Sequence, residues 1–88
     1  MVSERLIIDC PQGIHLRPAG SMCEAAIRYK SKISFELSTG RIANVKSVLS
    51  ILAAGVKCGE EIVLTCEGED EQEALDKVKE ALFEALNI

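Results

Sequence analysis

The chain alternates between two hydrophobic periods, and the alternation sets out its elements. In "ERLIIDC" (4–10), Leu6, Ile8 and Cys10 recur every second residue, the signature of a half-buried strand, and Pro11, Gln12 and Gly13 break it. From residue 16 to 28 the period lengthens: Ala19, Met22, Cys23, Ala26 and Ile27 fall on one face of a helix. "KISFEL" (32–37) returns to strict alternation, with Ile33, Phe35 and Leu37 facing in. "STG" (38–40) reads as a hairpin turn, with Gly40 free to take a positive φ, and "RIANV" (41–45) as the return strand. Ser47 is placed to cap a short helix that stops at Gly55. "EEIVLTCEG" (60–68) alternates again, with Ile62, Leu64 and Cys66 inward. Asp70 opens a last helix whose buried stripe is Leu75, Val78, Leu82 and Leu86, and Glu73 stands where a capping box requires its acid.

The order βαββαβα, with one apolar and one polar face on each strand, predicts an α+β fold. It is a four-stranded antiparallel sheet covered by three helices on one face. Eighty-eight residues suffice for a single domain, expected to span 1–88, with no repeat or linker. Aromatic residues make up 3% of the chain, so the core must be aliphatic. A net charge of −4 without basic clusters argues against nucleic acid as a partner. The longest apolar stretch, "SVLSILAAGV", is about half a membrane span, and no leader is visible, so no membrane insertion and a cytoplasmic location are expected. Cys10, Cys23, Cys58 and Cys66 lack CxxC spacing and are expected as reduced thiols packed like small apolar residues, with no metal and no cofactor.

The candidate chemistry lies in "GIHLRP" (13–18), which holds the only histidine. His15 falls at the N-cap of the first helix. The opening N–H groups of a helix lack internal partners and carry about half a positive charge, which makes them an anion site. Arg17 adds a permanent cation whose planar fork matches phosphate oxygens. Pro18 is tolerated in a first turn, and Gly13 permits a close approach just before the site. A neutral imidazole is a competent nucleophile, and a phosphoryl group on its nitrogen would lie among these positive charges. From the residues alone, a passive anion site and a plain surface N-cap both remain open.

"GIHLRPAG" resembles the phosphorylation motif of HPr, the histidine-containing phosphocarrier family of the bacterial phosphoenolpyruvate:sugar phosphotransferase system. "NVKSVLSILAAGV" (44–56) resembles that family's second signature, and "GEDEQEAL" (68–75) the start of its last helix. The resemblance covers nearly the whole chain. It implies the HPr-like open-faced β-sandwich and a stoichiometric carrier in place of an enzyme. It also implies a phosphoryl group accepted on Nδ1 of His15 from phosphorylated enzyme I and passed to sugar-permease IIA components. Arg17 would face the phosphate and Pro18 would start the helix. Ser47 matches the serine modified by the HPr kinase/phosphorylase in Gram-positive relatives, whose product pairs with a catabolite-control repressor. A phosphate on an N-cap serine suits its own helix but adds almost two negative charges beside Val48, Leu49 and Leu52.

Leu16, Gly20, Val48, Leu49 and Leu52 are expected to form an exposed apolar docking patch around His15, because Leu49 and Leu52 cannot both follow Ile51 inward. The chain departs from the family pattern at Leu16, where many relatives carry a smaller residue. It is also one residue longer between His15 and Ser47, and richer in cysteine. The expected state is a monomer. Two alternatives stand beside the carrier: a regulatory paralogue acting mainly through Ser47, and a non-enzymatic module that binds an anion or partner without covalent chemistry.

Overall fold

The computed structural model describes residues 1–87. The elements run β1 (Val2–Ile7), α1 (Leu16–Ala26), β2 (Lys32–Leu37), β3 (Ile42–Asn44), α2 (Val48–Ala54), β4 (Glu61–Glu67) and α3 (Glu71–Leu86). The order βαββαβα is the one the hydrophobic periods predict. The strands form one antiparallel sheet ordered β1-β4-β2-β3. Both pairings of β4 follow from burial: Leu6 lies opposite Ile62, and Phe35 opposite Leu64, so the inward residues of three strands meet on one face. Leu6, Ile33, Phe35, Leu37, Ile62, Leu64 and Cys66 are all buried there. Against them lie Ala19, Met22 and Ala26 of α1, Ile51 of α2, and Leu75, Val78, Leu82 and Leu86 of α3. The opposite face carries Ser3, Arg5, Ser34, Glu36, Val63 and Thr65 and has no helix over it. Among the described residues no helix is long and apolar enough to cross a membrane.

Several boundaries differ from the sequence reading. β1 begins at Val2 and ends at Ile7. Ile8 still donates to the Glu60 carbonyl (2.9 Å), but its own carbonyl accepts from Gly59 (2.7 Å), one residue out of step. That offset ends the ladder before Cys10 and leaves Cys10 half-buried in a loop. α1 stops at Ala26, and Ile27, expected on the buried stripe, is its C-cap and 60% exposed.

The capping box at the start of α3 does not form. The Asp70 side chain makes no bond to its own helix and instead accepts from the backbone N–H groups of Lys30 (2.9 Å) and Ser31 (3.0 Å) and from the Ser31 hydroxyl. Glu73 accepts from the Tyr29 hydroxyl (3.1 Å). Both acids thus tie the connection between α1 and β2 to the start of α3, a tertiary use that local spacing does not reveal. The Ser31 hydroxyl, followed by the Lys30 N–H, holds the Asp70 carboxyl below the usual carboxylate range.

The cysteines divide. Cys66 is buried, and burial, with Glu71 and Asp70 nearby, pushes its thiol up to about 11. Cys10 and Cys23 pack partly against the core. Cys58 is exposed, against the expectation that all four pack as apolar residues, because it lies in the turn that carries the chain from α2 into β4.

Candidate functional site

The site is built where the loop after β1 enters α1. Its shape depends on Gly13, which is buried and has φ +63°, in the left-handed region. A Cβ there would run into the Val56 carbonyl oxygen and stand 2.9 Å from the Lys57 Cα. The close approach that a glycine allows is therefore used: the loop lies directly on the segment leaving α2. Gly13 donates to the Cys10 carbonyl (2.8 Å) and Ile14 to the Val56 carbonyl (3.0 Å). The buried Ile14 side chain anchors the same residue in the core. His15 follows immediately, fixed on one side by this clamp and on the other by α1.

His15 is the N-cap of α1 (φ −102°, ψ −166°). Its carbonyl accepts the first helical bond, from Ala19 N (3.0 Å), while its side chain makes no capping bond. The half-buried imidazole is therefore not spent on its own helix. The N–H groups of Leu16 and Arg17 belong to the opening turn, where no earlier carbonyl reaches them. Pro18, buried at the third helical position, has no N–H to orphan. No acidic residue sits in the first turn, so the positive end of the helix is not neutralised locally.

Arg17 is exposed, and its Nη2 donates to the Ala85 carbonyl in the last turn of α3 (3.1 Å). The sequence placed this cation toward phosphate; the structure shows it engaged at the far end of another helix. The cause is electrostatic. α3 has no basic residue in its last turn, and Arg17 supplies the missing cation to its negative end. Arg41 does the same for α2, donating to the carbonyls of Ala53 (3.4 Å) and Ala54 (3.3 Å). Neither role is legible from local sequence, since each arginine serves a helix that is not its own.

Ser47 is the N-cap of α2, and its hydroxyl accepts from Ser50 N (3.2 Å). It is half-buried. Of the expected apolar patch, Leu49 (80%) and Leu16 (67%) are strongly exposed. Gly20 is half-buried, and Val48 and Leu52 are half-buried with part of their surface packed on the core. Ile51 takes the fully buried position of α2, which turns Leu49 outward. α1 and α2 are in contact, so the serine cap and the histidine cap belong to neighbouring helices.

A free imidazole at an unneutralised helix N-terminus, with a guanidinium tethered by one exposed bond, can accept and hold a phosphoryl group. Residues 2–84 match the family model described as the phosphotransferase-system HPr component phosphorylation site. The chain is 33% identical to the phosphocarrier protein HPr of Mycoplasma pneumoniae over 78 residues, covering 89% of each chain. It is 35% identical to the HPr-like protein Crh of Bacillus subtilis, covering 89% of this chain and 91% of that one. The solved structure of a mycoplasma histidine-containing phosphocarrier protein superimposes with a TM-score of 0.92 at 28% identity, over 97% of both chains. By the family model it matches, its sequence identity and its topology, this chain belongs to the HPr family of phosphocarrier proteins of the phosphotransferase system.

Proposed function

We propose that this protein relays a phosphoryl group from phosphorylated enzyme I to sugar-permease IIA components through a phosphohistidine on His15. The observation that carries the reading is the N-cap position of His15 with its imidazole making no capping bond. The Nδ1 lone pair attacks phosphorus, the donor's bond to phosphorus breaks, and the electron pair leaves with the donor. In the second transfer His15 becomes the leaving group and returns to a neutral imidazole. The oxygens of the bound group meet the Leu16 and Arg17 N–H groups and the helix dipole. Arg17 joins them by exchanging the Ala85 carbonyl for phosphate, a stronger acceptor because it is charged. Leu16 and Leu49, with Gly20, Val48 and Leu52 beside them, form the docking surface on which enzyme I and the IIA components alternate, with the carrier acting as a monomer.

Ser47 is the regulatory position in this reading. A phosphate there keeps an acceptor oxygen for Ser50 N and sits at the positive end of α2, so the helix survives modification. Its charge beside Leu49 opposes apolar docking of the transport partners and suits recognition by a catabolite-control repressor. The modifying enzyme would be an HPr kinase/phosphorylase.

Intact mass after incubation with enzyme I and phosphoenolpyruvate tests the relay. One acid-labile phosphate is expected on the wild type and none on His15→Ala. A His15→Ala protein that still takes up the phosphate overturns the reading, and a wild type that takes up none favours a module that binds without covalent chemistry. A second reading, a regulator acting mainly through Ser47, draws on the similarity to the HPr-like protein Crh. The two part on growth of a deletion strain on transported sugars: impaired growth supports the relay, and normal growth supports the regulator.

A further inference from the structure

The uncovered face of the sheet carries a second charged feature, away from the histidine. At the β2–β3 end, a depression of about 560 Å³ is lined by Lys30, Lys32 and Lys46, with Ser34, Ile42 and Asn44 among the residues of its floor and walls, and among the described residues none that lines it is acidic. The alternation of β2 turns Lys32 and Ser34 outward while Ile33 and Phe35 are buried. β3 does the same with Ile42 and Asn44 around buried Ala43. Ser34 and Asn44 lie opposite each other in the register, so both side chains stand on this face.

The charge distribution is unusual for this chain. It has 14 acidic against 10 basic residues, yet this depression gathers three of its lysines. Lys77 and Lys79 on α3 are paired with Glu80 and Glu4. Among the described residues, no carboxylate comes within ion-pair distance of Lys30, Lys32 or Lys46. Three acids neighbour the depression. Glu36 shares the outward face of β2 and lies opposite Ile42 in the β2–β3 register, without an ion pair to these lysines. Glu67 lies opposite Lys32 in the β2–β4 register, without an ion pair. Asp70 accepts from the Ser31 hydroxyl and the Lys30 and Ser31 N–H groups, which fixes its carboxylate on the backbone beside Lys30 with its negative charge in place. Lys46 is held in place, its Nζ donating to the Tyr29 carbonyl (2.6 Å), which leaves two N–H donors for another acceptor.

We propose that this depression is an anion-binding site for a small soluble molecule carrying two or more phosphate or carboxylate groups. Its volume lies in the range of small-ligand pockets, and because it is widely open to solvent, charge rather than enclosure would hold the ligand. Lysines act as mobile point charges, so the site selects for charge number more than for planar bidentate geometry. It carries no aromatic ring among its lining residues on which a base could stack, which sets it apart from a nucleotide pocket.

Titration of the full-length, ¹⁵N-labelled protein with sodium pyrophosphate at low ionic strength tests the proposal, against sodium chloride at matched ionic strength. Saturable shifts are expected for the amides of Lys30–Ser34 and Asn44–Ser50, weakening as salt is added. Lys32→Gln alters an exposed side chain and is expected to weaken binding about fivefold, the effect of one unit charge near the surface. Lys46→Gln is expected to do the same or more. Shifts equal to those with sodium chloride, shifts confined to the His15–Arg17 amides, or a binding curve that Lys32→Gln leaves unchanged would overturn it.

Discussion

Replacing Gly13 with alanine isolates the contact that holds the histidine loop. Three effects destabilise the variant and one opposes them. The positive φ of +63° costs an L-residue about 1–2 kcal/mol. The new Cβ collides with backbone, the Val56 carbonyl and the Lys57 Cα, and neither can rotate away as a side chain would. The loop must lift, and the Ile14–Val56 hydrogen bond, worth about 1 kcal/mol net, is lost or stretched. Against this, alanine lowers the entropy of the unfolded chain, which returns about 0.4–1 kcal/mol. The balance of these terms is a loss of about 1–2.6 kcal/mol, to which the backbone collision adds. Urea denaturation followed by circular dichroism reads it as a lower midpoint at unchanged slope. Gly20→Ala is the control of opposite sign: Gly20 lies inside α1 with nothing within 4 Å of the added Cβ, so helix propensity predicts a gain of up to about 1 kcal/mol. Gly13→Ala should also slow phosphoryl acceptance at temperatures where it remains folded, since the His15 backbone moves with the loop. A Gly13→Ala protein as stable as the wild type would refute the clamp and the positioning argument built on it.

Four further outcomes are expected. Leu49→Asp, at an 80% exposed position, should leave stability within about 0.5 kcal/mol while slowing phosphoryl acceptance from enzyme I at least tenfold; an unchanged rate removes this leucine from the docking surface. Met22→Ala, at a fully buried position of α1, should cost about 2–5 kcal/mol in urea denaturation. Burial of the Cys66 thiol raises its pKa from an ordinary 9.0 to about 11, so the folded state favours the protonated form; the stability this gives is present below pH 9 and is lost as pH rises through 11. Urea midpoints between pH 8 and 11 should therefore fall more steeply for the wild type than for Cys66→Ala, and at pH 8 a thiol reagent should label Cys58 first and Cys66 last. Asp70 is shifted the other way, so its contribution is present above its ordinary pKa of 3.8 and is lost as pH falls below it; Asp70→Asn should flatten the acid limb of the stability profile.

Hydrophobic period carried most of the fold because each element buries one face only. The inward sets of β2 and β4 and the stripe of α3 are set by the pleat or the helical turn, and the structure keeps all of them. The N-cap positions of His15 and Ser47 were readable because a cap is defined by its immediate neighbours. What escaped depends on distant partners. Nothing near Asp70 in the chain announces Ser31, and nothing near Arg17 announces Ala85, 68 residues away. Ile27 was misjudged because a residue at the last turn of a helix follows the exit of the chain more than the helical stripe. The exposed Cys58 follows from the same rule for loops, where local apolar character says little about burial.

The arginine that spans from α1 to the final turn of α3 bears on how the carrier works in both directions. An exposed hydrogen bond of this kind contributes little, about 0.5–1.5 kcal/mol, and its loss is small beside the cost of a buried, unpaired charge. A guanidinium locked on His15 would hold a phosphoryl group tightly and resist giving it up; one left entirely to water would have to be ordered anew at each transfer. In the proposed relay, the guanidinium parked on a carbonyl would exchange that oxygen for a phosphate oxygen on loading and return to it on unloading, so neither step leaves it without a partner. A cation that always has an oxygen to return to is what the proposed courier between upstream and downstream proteins would require.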